Sequence, residues 1–530
     1  MRGRQIVLLL ALVLMSCSKE GLRHSGRPSG IDYYYGSDLR HEKIVLGERL
    51  ENPYKTENMS KAFASLYPTK ADRVEIKTTN LYVRFLPADE QQYERLQEMG
   101  VEMLDHPMDY SISVDGDWYH DPEIPETDVT WQYAVVPAGF DFPDDIRHEV
   151  IHECYLAEND PQTRSLDQDI DWQAVEREAY FLTGNADRIH EPSTKAAAKV
   201  KPSGRITIVD GHANGGKPFG VAGVMVSCNS FVKFATSYTD RDGYYSMSKE
   251  FSSDLRYRLV FKNERNFSIG FNLVLLPASV STLGKSGPEG VNMTVTKDSE
   301  DKLFRRCVVN NAAYDYIGRC ASSDLGLSDP PADLRFWIMH GMEASSAVML
   351  HHGAIVRSDY LEKYLGSFSS LIEFFLPDIT IGAKGKDEYR DIYSTTCHEL
   401  AHASHFSKVG TEYWNRYILY IIESFIRTGG MTYGDGTASG AGYCEIGEMW
   451  AYYLESRFYK DRYGGNFPTF GTSYWFYPQI FRSLDERGLT PADMLAVLKP
   501  EVTSKSDLKS ALILACPEKR TIIEQVFSRY

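Results

Sequence analysis

Hydrophobic and polar positions alternate between strand-like and helix-like spacing over residues 31–200. The segment NLYVRFLP (80–87) has the composition of a strand, and ADEQQYERLQEMG (88–100) follows with helical spacing and a terminal glycine. VEMLDHPMDYSISV (101–114) returns to strand character. This order predicts an N-terminal α+β domain, and the segment 196–204 is typical of a linker.

From Gly204 the spacing changes to a series of short strands. GRITIVD begins the series, KPFGVAGVMVSC (217–228) places a turn before a second strand, and YRLVFKNERNFSIG (257–270) adds another. The dipeptide Asp242-Gly243 is a strong hairpin-turn signal. Short strands at this spacing predict an all-β sandwich over residues 201–300.

The same stretch resembles the carboxypeptidase regulatory-like (transthyretin-like) modules. The resemblance rests on Gly204, the Gly223-Val224 step and the run from Thr239 to Tyr244, and it covers about a fifth of the chain. It implies a sandwich of a type often used for recognition.

Residues 301–530 are rich in helical spacing, with strand candidates at DLRFWIM (333–339) and DITIGA (378–383). Near the C-terminus, Thr490 is placed to cap the helix of LTPADMLAVL. The predicted fold class is therefore multidomain α+β: an N-terminal α+β domain, an all-β sandwich and a C-terminal helix-rich domain.

The first seventeen residues predict export. Arg2 and Arg4 precede the apolar run Ile6–Met15, which is too short to span a bilayer but suits a signal-peptide core. Ser16-Cys17 resembles the lipobox of bacterial lipoproteins, which implies cleavage before Cys17 and acylation of its sulfur. A plain secretory signal is the alternative. Residues 18–30 are small and polar and indicate a tether, so we expect a lipid anchor on the periplasmic side or at the cell surface.

Composition and charge narrow the function further. The formal net charge of −16 argues against a general nucleic-acid-binding protein, which needs a basic surface. Seven cysteines follow Cys17 without CxxC spacing, so neither a zinc ribbon nor a disulfide scaffold is predicted.

The segment TTCHELAHASHF (395–406) carries the candidate chemistry. His398-Glu399-Leu-Ala-His402 fits the H-E-x-x-H pattern, in which two histidines four residues apart lie on one helix face and can reach one ion. Glu399 lies about 100° round the helix, beside the ligands, where it can take a proton from a metal-bound water. A helix face with hydrogen-bonded histidines and no metal is the alternative.

His405 is seven residues after His398 and on nearly the same face. Seven residues advance about 10.5 Å along a straight helix, too far for two ligands of one ion. We expect His405 to pack near the site rather than bind the metal.

A third ligand is expected from a second helix, CEIGEMWAYYLESRFY (444–459). Glu448 is the preferred candidate, Glu445 the main competitor and Glu423 a weaker one. The Glu448-Met-Trp-Ala run resembles the glutamate-bearing helix of gluzincin metallopeptidases. The acidic residue that this family places four positions later is absent, since Tyr452 stands there, so the partner of the first histidine is left open.

The resemblance implies that His398, His402 and Glu448 bind Zn²⁺. It also implies that Glu399 is the general base and then the proton donor in peptide-bond hydrolysis. A further donor is needed for the oxyanion. Tyr443, just before the ligand helix, is our candidate, and Tyr433 is the alternative. DITIGA is expected to be the edge strand that pairs with an extended peptide.

The expected partners are a peptide or protein substrate and, through the lipid anchor, a membrane. Two rival hypotheses stay open. The first is a non-catalytic surface binding protein on a zincin scaffold. The second is a zinc peptidase directed at glycoproteins, in which the sandwich recognises sugar.

Overall fold

The computed structural model describes residues 43–71, 74–125, 128–164, 170–190, 200–271, 278–298, 301–320, 322, 325–339, 343–354 and 377–530. The predicted signal peptide (1–17), the lipidation site Cys17 and the tether (18–30) lie outside these residues. Within them the protein is α+β, with helices concentrated towards the C-terminus, which confirms the predicted fold class. None of the described helices combines the length and the apolar character needed to cross a bilayer.

The N-terminal part mixes short sheets with helices, as predicted. A three-stranded antiparallel sheet has β2 at its centre between β4 and β5, and β1 pairs with β3 in a separate ladder. Helices α1 and α3 pack together. The elements are β1 (Val45–Arg49), α1 (Thr56–Leu66), β2 (Asn80–Leu86), α2 (Glu90–Glu98), β3 (Tyr110–Val114), β4 (Gln132–Pro137), β5 (Arg147–Cys154) and α3 (Trp172–Leu182).

The middle part is sandwich-like, with strands distributed between two sheets. The smaller sheet has the order β10-β6-β14, with β7 also on β6, and the larger sheet includes β12-β11-β8-β9, with β13 also on β11. The strands are β6 (Ser203–Ile208), β7 (Phe219–Gly220), β8 (Val224–Ser230), β9 (Lys233–Tyr238), β10 (Tyr244–Ser246), β11 (Leu255–Asn263), β12 (Phe267–Phe271), β13 (Val280–Ser286) and β14 (Met293–Val295).

The turn at Asp242-Gly243 differs from the predicted hairpin. Gly243 has φ 85°, and Asp240 Oδ1 accepts hydrogen bonds from the backbone N–H groups of Asp242 and Tyr244. The flanking strands β9 and β10, however, belong to different sheets. The hairpin prediction was wrong because the tight turn carries the chain from one sheet to the other, and a turn signal does not specify which strands pair.

The C-terminal part extends the larger sheet and packs helices against it. Strand β15 pairs in parallel with β12, so backbone hydrogen bonding continues across the boundary predicted at residue 300. The elements are α4 (Asp301–Cys320), β15 (Leu334–Met339), β16 (Ser346–Ala347), β17 (Ile379–Gly382), α5 (Tyr389–Thr428), α6 (Ala441–Tyr463), α7 (Gln479–Asp485), α8 (Pro491–Ala496), α9 (Lys505–Ala515) and α10 (Arg520–Phe527).

The position of β17 corrects the expectation for DITIGA. Strand β17 lies between β15 and β16, and the antiparallel strand β16 is the last of the described strands on that side of the sheet. The edge prediction was wrong because a second, two-residue strand, too short to be recognised from its composition, covers β17. Trp414 Nε1, on α5, donates to the carbonyl of Ala347 on β16 at 2.9 Å.

Alternation along the strands of the eight-stranded sheet gives it two unlike faces. Val226, Leu259 and Phe336 point to one face and share a single hydrophobic core with residues of α4, α5 and α6. Arg258 and Arg335 point to the other face. There Arg258 contacts His106, and Arg335 forms ion pairs with the glutamates of α2. We call these the metal-helix face and the N-terminal face.

Candidate metal centre

The H-E-x-x-H motif lies on the first half of α5, in the middle of the protein. No glycine or proline interrupts the chain from Tyr389 to Val409, and the helix breaks at Gly410, where φ is 77° and ψ is 175°. Helix α5 packs against both α4 and α6. His398, Glu399 and His402 are consequently no more than 3% exposed.

Helix α6 brings Glu448 to the two histidines. Glu448 Oε2 lies 3.6 Å from His398 Nε2, and Glu448 Oε1 lies 3.5 Å from His402 Nε2. Ligand atoms about 2.1 Å from one tetrahedral Zn²⁺ are separated by roughly 3.4 Å. The three side chains can therefore hold a metal ion, and two imidazoles with one carboxylate are a donor set that zinc favours.

The charges around this group also favour a cation. Glu399, Glu448 and Glu455 are all fully buried. Burial lowers the pKa of His398, but hydrogen bonds with Glu448 and Glu455 and the charge of Glu399 raise it to about 10. Burial raises the pKa of Glu448, but the charges and hydrogen bonds of His402 and His398 lower it to about 2. Three buried carboxylates outnumber two imidazoles, so a divalent cation would compensate charge that these residues do not compensate among themselves.

Glu455 is the orienting partner that the sequence left open. Its Oε2 lies 3.2 Å from His398 Nδ1, so it can accept the proton of that nitrogen and leave Nε2 free for a metal. Glu455 follows Glu448 by seven residues, two helical turns, instead of the four residues typical of the gluzincin pattern. The signal available in the sequence was a second glutamate on the same helix face, two turns after Glu448.

Tyr417 is a further residue of the site that the sequence did not indicate. It lies on α5 after the break at Gly410, and its hydroxyl donates to Glu448 Oε1 at 2.5 Å. The break redirects the helix, and the ring of Tyr417 lies 5.8 Å from that of His402. Nothing in the sequence around Tyr417 distinguishes it from a core tyrosine.

The two candidate oxyanion donors have different surroundings. The Tyr443 hydroxyl accepts a hydrogen bond from Arg416 at 3.2 Å, and its ring packs on Tyr413. Tyr433 is buried, and its hydroxyl lies 3.0 Å from that of Tyr452. The Tyr452 ring packs edge-on against His398, at 4.4 Å between ring centroids. Tyr433 is thus linked to the candidate ligand His398 through Tyr452.

His405 packs beside the site and is not part of the three-residue ligand group. It is fully buried, and its ring contacts Tyr413 and Trp414. Burial lowers the pKa of His405 to about 3, so this imidazole is neutral at physiological pH. These contacts agree with the packing role expected from helix geometry.

The competing carboxylates lie elsewhere. Glu445 is half-buried near Lys505, and burial raises its pKa. Glu423 is exposed on the second half of α5. Among the described residues only Glu448, of the three candidates, meets both histidines.

A second acidic group combines Glu90, Glu94 and His351. Arg335 forms ion pairs with both glutamates, so a guanidinium already supplies the positive charge there. This group joins the N-terminal part to the sheet.

The seven cysteines after Cys17 all lie in the described residues and are buried, and no disulfide joins any two of them.

Comparison of the chain with protein-family models finds no match, and comparison with curated proteins also finds none. The resemblance to gluzincins therefore rests on the sequence motifs of the two helices alone.

Proposed function

We propose that this protein is an exported, lipid-anchored zinc metallopeptidase. The observation that carries the proposal is the meeting of His398, His402 and Glu448 on two helices, at distances that suit one Zn²⁺. The substrate is a peptide or protein, including a glycosylated one, and nucleic acid is not a partner.

The residues divide the work of peptide hydrolysis. Zn²⁺ bound by the three ligands supplies a Lewis acid that polarises a carbonyl and makes water more acidic. Glu399 adjoins His398 on α5, accepts a proton from the attacking water and returns it to the leaving amine. Glu455 holds the proton of His398 Nδ1, and Tyr417 holds one oxygen of Glu448.

Strand β16 is the proposed place for an extended substrate. It is the outer described strand beside α5, and Trp414 holds its Ala347 carbonyl. Adding a peptide strand to a sheet edge is a common way to bind a substrate through its backbone.

The deciding experiment uses a soluble chain that begins at Ser18 and so lacks both the predicted signal peptide and the lipidation site Cys17. We expect about one zinc per chain and cleavage of a peptide library. In Glu399→Gln, zinc is retained but kcat falls by about 10²- to 10⁴-fold, because a general base is lost. Glu445→Gln, on the neighbouring helix but outside the ligand group, is the matched control and keeps full activity. A zinc-free wild-type protein, or full activity in Glu399→Gln, would refute the proposal.

A non-catalytic binding protein on the same scaffold is the second candidate. It is favoured by burial, since His398, Glu399, His402 and Glu448 are at most 3% exposed. Structural zinc sites are closed, whereas catalytic ones keep a position open to water and substrate. Bound zinc without turnover on bare or glycosylated peptides would establish this candidate, and cleavage of glycosylated peptides alone would identify a glycoprotein-directed peptidase.

A further inference from the structure

A cavity of about 150 Å³ lies between the N-terminal part and the N-terminal face of the eight-stranded sheet. One wall comes from α2 and the segment after it, and the other comes from β8, β11 and β13. A cavity of this size, lined by apolar groups, is large enough for a benzene ring. It lies on the opposite face of the sheet from the metal group and is independent of the proposed peptidase chemistry.

Arg258 places a buried positive charge on the cavity wall. It is 2% exposed; its Nη1 donates to Asn229 Oδ1 at 2.8 Å, and its Nη2 lies 3.1 Å from His106 Nε2. Among the described residues no hydrogen-bond acceptor meets its Nε, and no carboxylate forms an ion pair with it. Burial, assisted by the charge of Arg256, lowers the pKa of Arg258 to about 9.

The nearest acidic group is engaged elsewhere. Asp105 Oδ1 lies 2.7 Å from His106 Nδ1, and Asp105 Oδ2 accepts the backbone N–H of Tyr119. Because His106 Nε2 accepts from Arg258, its proton is on Nδ1 and its ring is neutral. The charge of Asp105 raises the pKa of Arg258 against the effect of burial, but His106 lies between the two groups and they form no ion pair.

Two other acids on the wall also have partners. Asp117 pairs with Arg306 at 2.9 Å, and Glu102 accepts from the Thr236 hydroxyl at 3.2 Å. Burial raises the pKa of Glu102, which weakens its competition for a cation.

Ser227 supplies a second polar group beside Arg258. The two residues are paired across β8 and β11, so their side chains emerge side by side from the same face. Ser227 is 1% exposed, and its hydroxyl has no hydrogen-bond partner among the described residues. A guanidinium and a hydroxyl in this arrangement match the two oxygens of a carboxylate.

The rest of the wall combines apolar side chains with the polar groups of Gln97, Gln132 and Lys262. Met225 and Val260 are also paired across β8 and β11, next to Ser227 and Arg258, and Tyr93 and Val101 face them from the N-terminal part. We propose that this cavity binds a small carboxylate with an apolar body, with its carboxylate on Arg258 and Ser227.

The test uses the same soluble chain from Ser18 and benzoate, with benzamide as its neutral counterpart of the same shape. We expect saturable benzoate binding by calorimetry, and affinity for benzamide lower by about tenfold or more, since the charge-assisted hydrogen bonds are lost. Ser227→Ala should weaken benzoate by about fivefold. Val260→Phe fills the cavity and should abolish binding, whereas Ser237→Ala, on β9 outside the cavity, should leave it unchanged.

Three results would overturn the proposal in protein shown by circular dichroism to be folded. They are no saturable benzoate binding by the wild type, equal affinity for benzamide, and binding that survives in Val260→Phe. The first result would mean that the cavity holds water only, the second that the carboxylate is not recognised, and the third that the ligand binds elsewhere.

Discussion

The two faces of the eight-stranded sheet handle buried charge in opposite ways. On the N-terminal face, bases on the sheet and on α4 meet acids of the N-terminal part, as in Arg335 with Glu94 and Arg306 with Asp117. On the metal-helix face, Glu399, Glu448 and Glu455 surround two imidazoles. Apart from Arg258, the bases named on the N-terminal face are paired with acids of the chain, whereas the metal-helix face has an excess of carboxylates that a cation would compensate. The paired bases hold the N-terminal part to the sheet, and the excess of carboxylates calls for a ligand.

The N-terminal part contacts only one of these two faces through the arginines of the sheet described above. Arg258 and Arg335 contact it on the face away from α5, whereas Phe336 and Ile338 face the core that contains α5. These described contacts place the N-terminal part against the sheet face opposite to the one that packs on α5.

The largest expected effect comes from removing the third ligand. Glu448→Ala leaves His398 and His402 without the carboxylate that completes the donor set, so zinc affinity should fall by at least about 100-fold. At zinc concentrations near 100 times the wild-type Kd, the zinc-dependent stabilisation of about 2.7 kcal/mol should then largely disappear. Thermal unfolding with and without zinc measures it. Glu445→Ala is the matched control, and an unchanged zinc-dependent rise in Tm in Glu448→Ala would contradict the assignment.

A smaller loss of zinc affinity is expected when Glu455, the carboxylate that orients His398, is replaced. Glu455→Gln weakens the acceptor at His398 Nδ1 and should reduce zinc affinity by about 10- to 100-fold. Competition with a chromogenic chelator measures the affinity. The variant should also shift the pH dependence of zinc binding, because His398 loses a group that raises its pKa. If affinity and pH profile both stay as in the wild type, Glu455 only packs.

Replacing Arg335 on the N-terminal face should lower the free energy of unfolding and leave zinc affinity unchanged. Arg335 is 3% exposed, and Arg335→Met leaves Glu90 and Glu94 without their ion pair, at a cost of about 2 kcal/mol. Urea unfolding measures the loss, and a double-mutant cycle with Glu94→Gln isolates the pair. Zinc affinity should not change. A parallel loss of zinc affinity would show that the two faces are coupled.

The smallest effect is a pH-dependent change in stability at His352, which adjoins His351 between the two faces. His351 lies near Glu90, whereas the His352 ring contacts Phe406 on α5. Burial lowers the pKa of His352, but its hydrogen bond to Asp378 and the charge of that acid raise the pKa above its ordinary value. The His352–Asp378 ion pair therefore stabilises the fold below about pH 6.5, and this contribution is lost as pH rises through the folded-state pKa of His352.

The stability difference between wild type and His352→Gln should thus shrink from pH 6 to pH 9, by at most about 1 kcal/mol. Chemical unfolding at both pH values measures it. A difference that grows with pH would reverse the assigned charge state.

Local signals in the sequence predicted several features well. The helical spacing of 88–100 and its terminal glycine correspond to α2 and to Gly100 at φ 77°. Thr490 caps α8 as predicted, and the structure adds a capping box with Asp493. The H-E-x-x-H pair lies on one buried face because residues four apart share a helix face and α5 packs against α4 and α6. Features that depend on pairing were missed, as with the Asp242-Gly243 turn and the strand DITIGA.

The sequence by itself determined the fold class and the placement of His398 and His402 on one helix face, since both follow from periodicities of a few residues along one chain. Glu448 was preferred over Glu445 and Glu423 because of a family resemblance, and only the tertiary structure decided that it meets both histidines. Only the tertiary structure decided that Glu455 orients His398, that Tyr417 holds Glu448, and that β16 lies outside β17. It also placed Arg258 and Ser227 on one cavity wall. The physical reason is that these relations join segments distant along the chain, and their distances are set by the packing of helices and the register of strands, which local spacing does not encode.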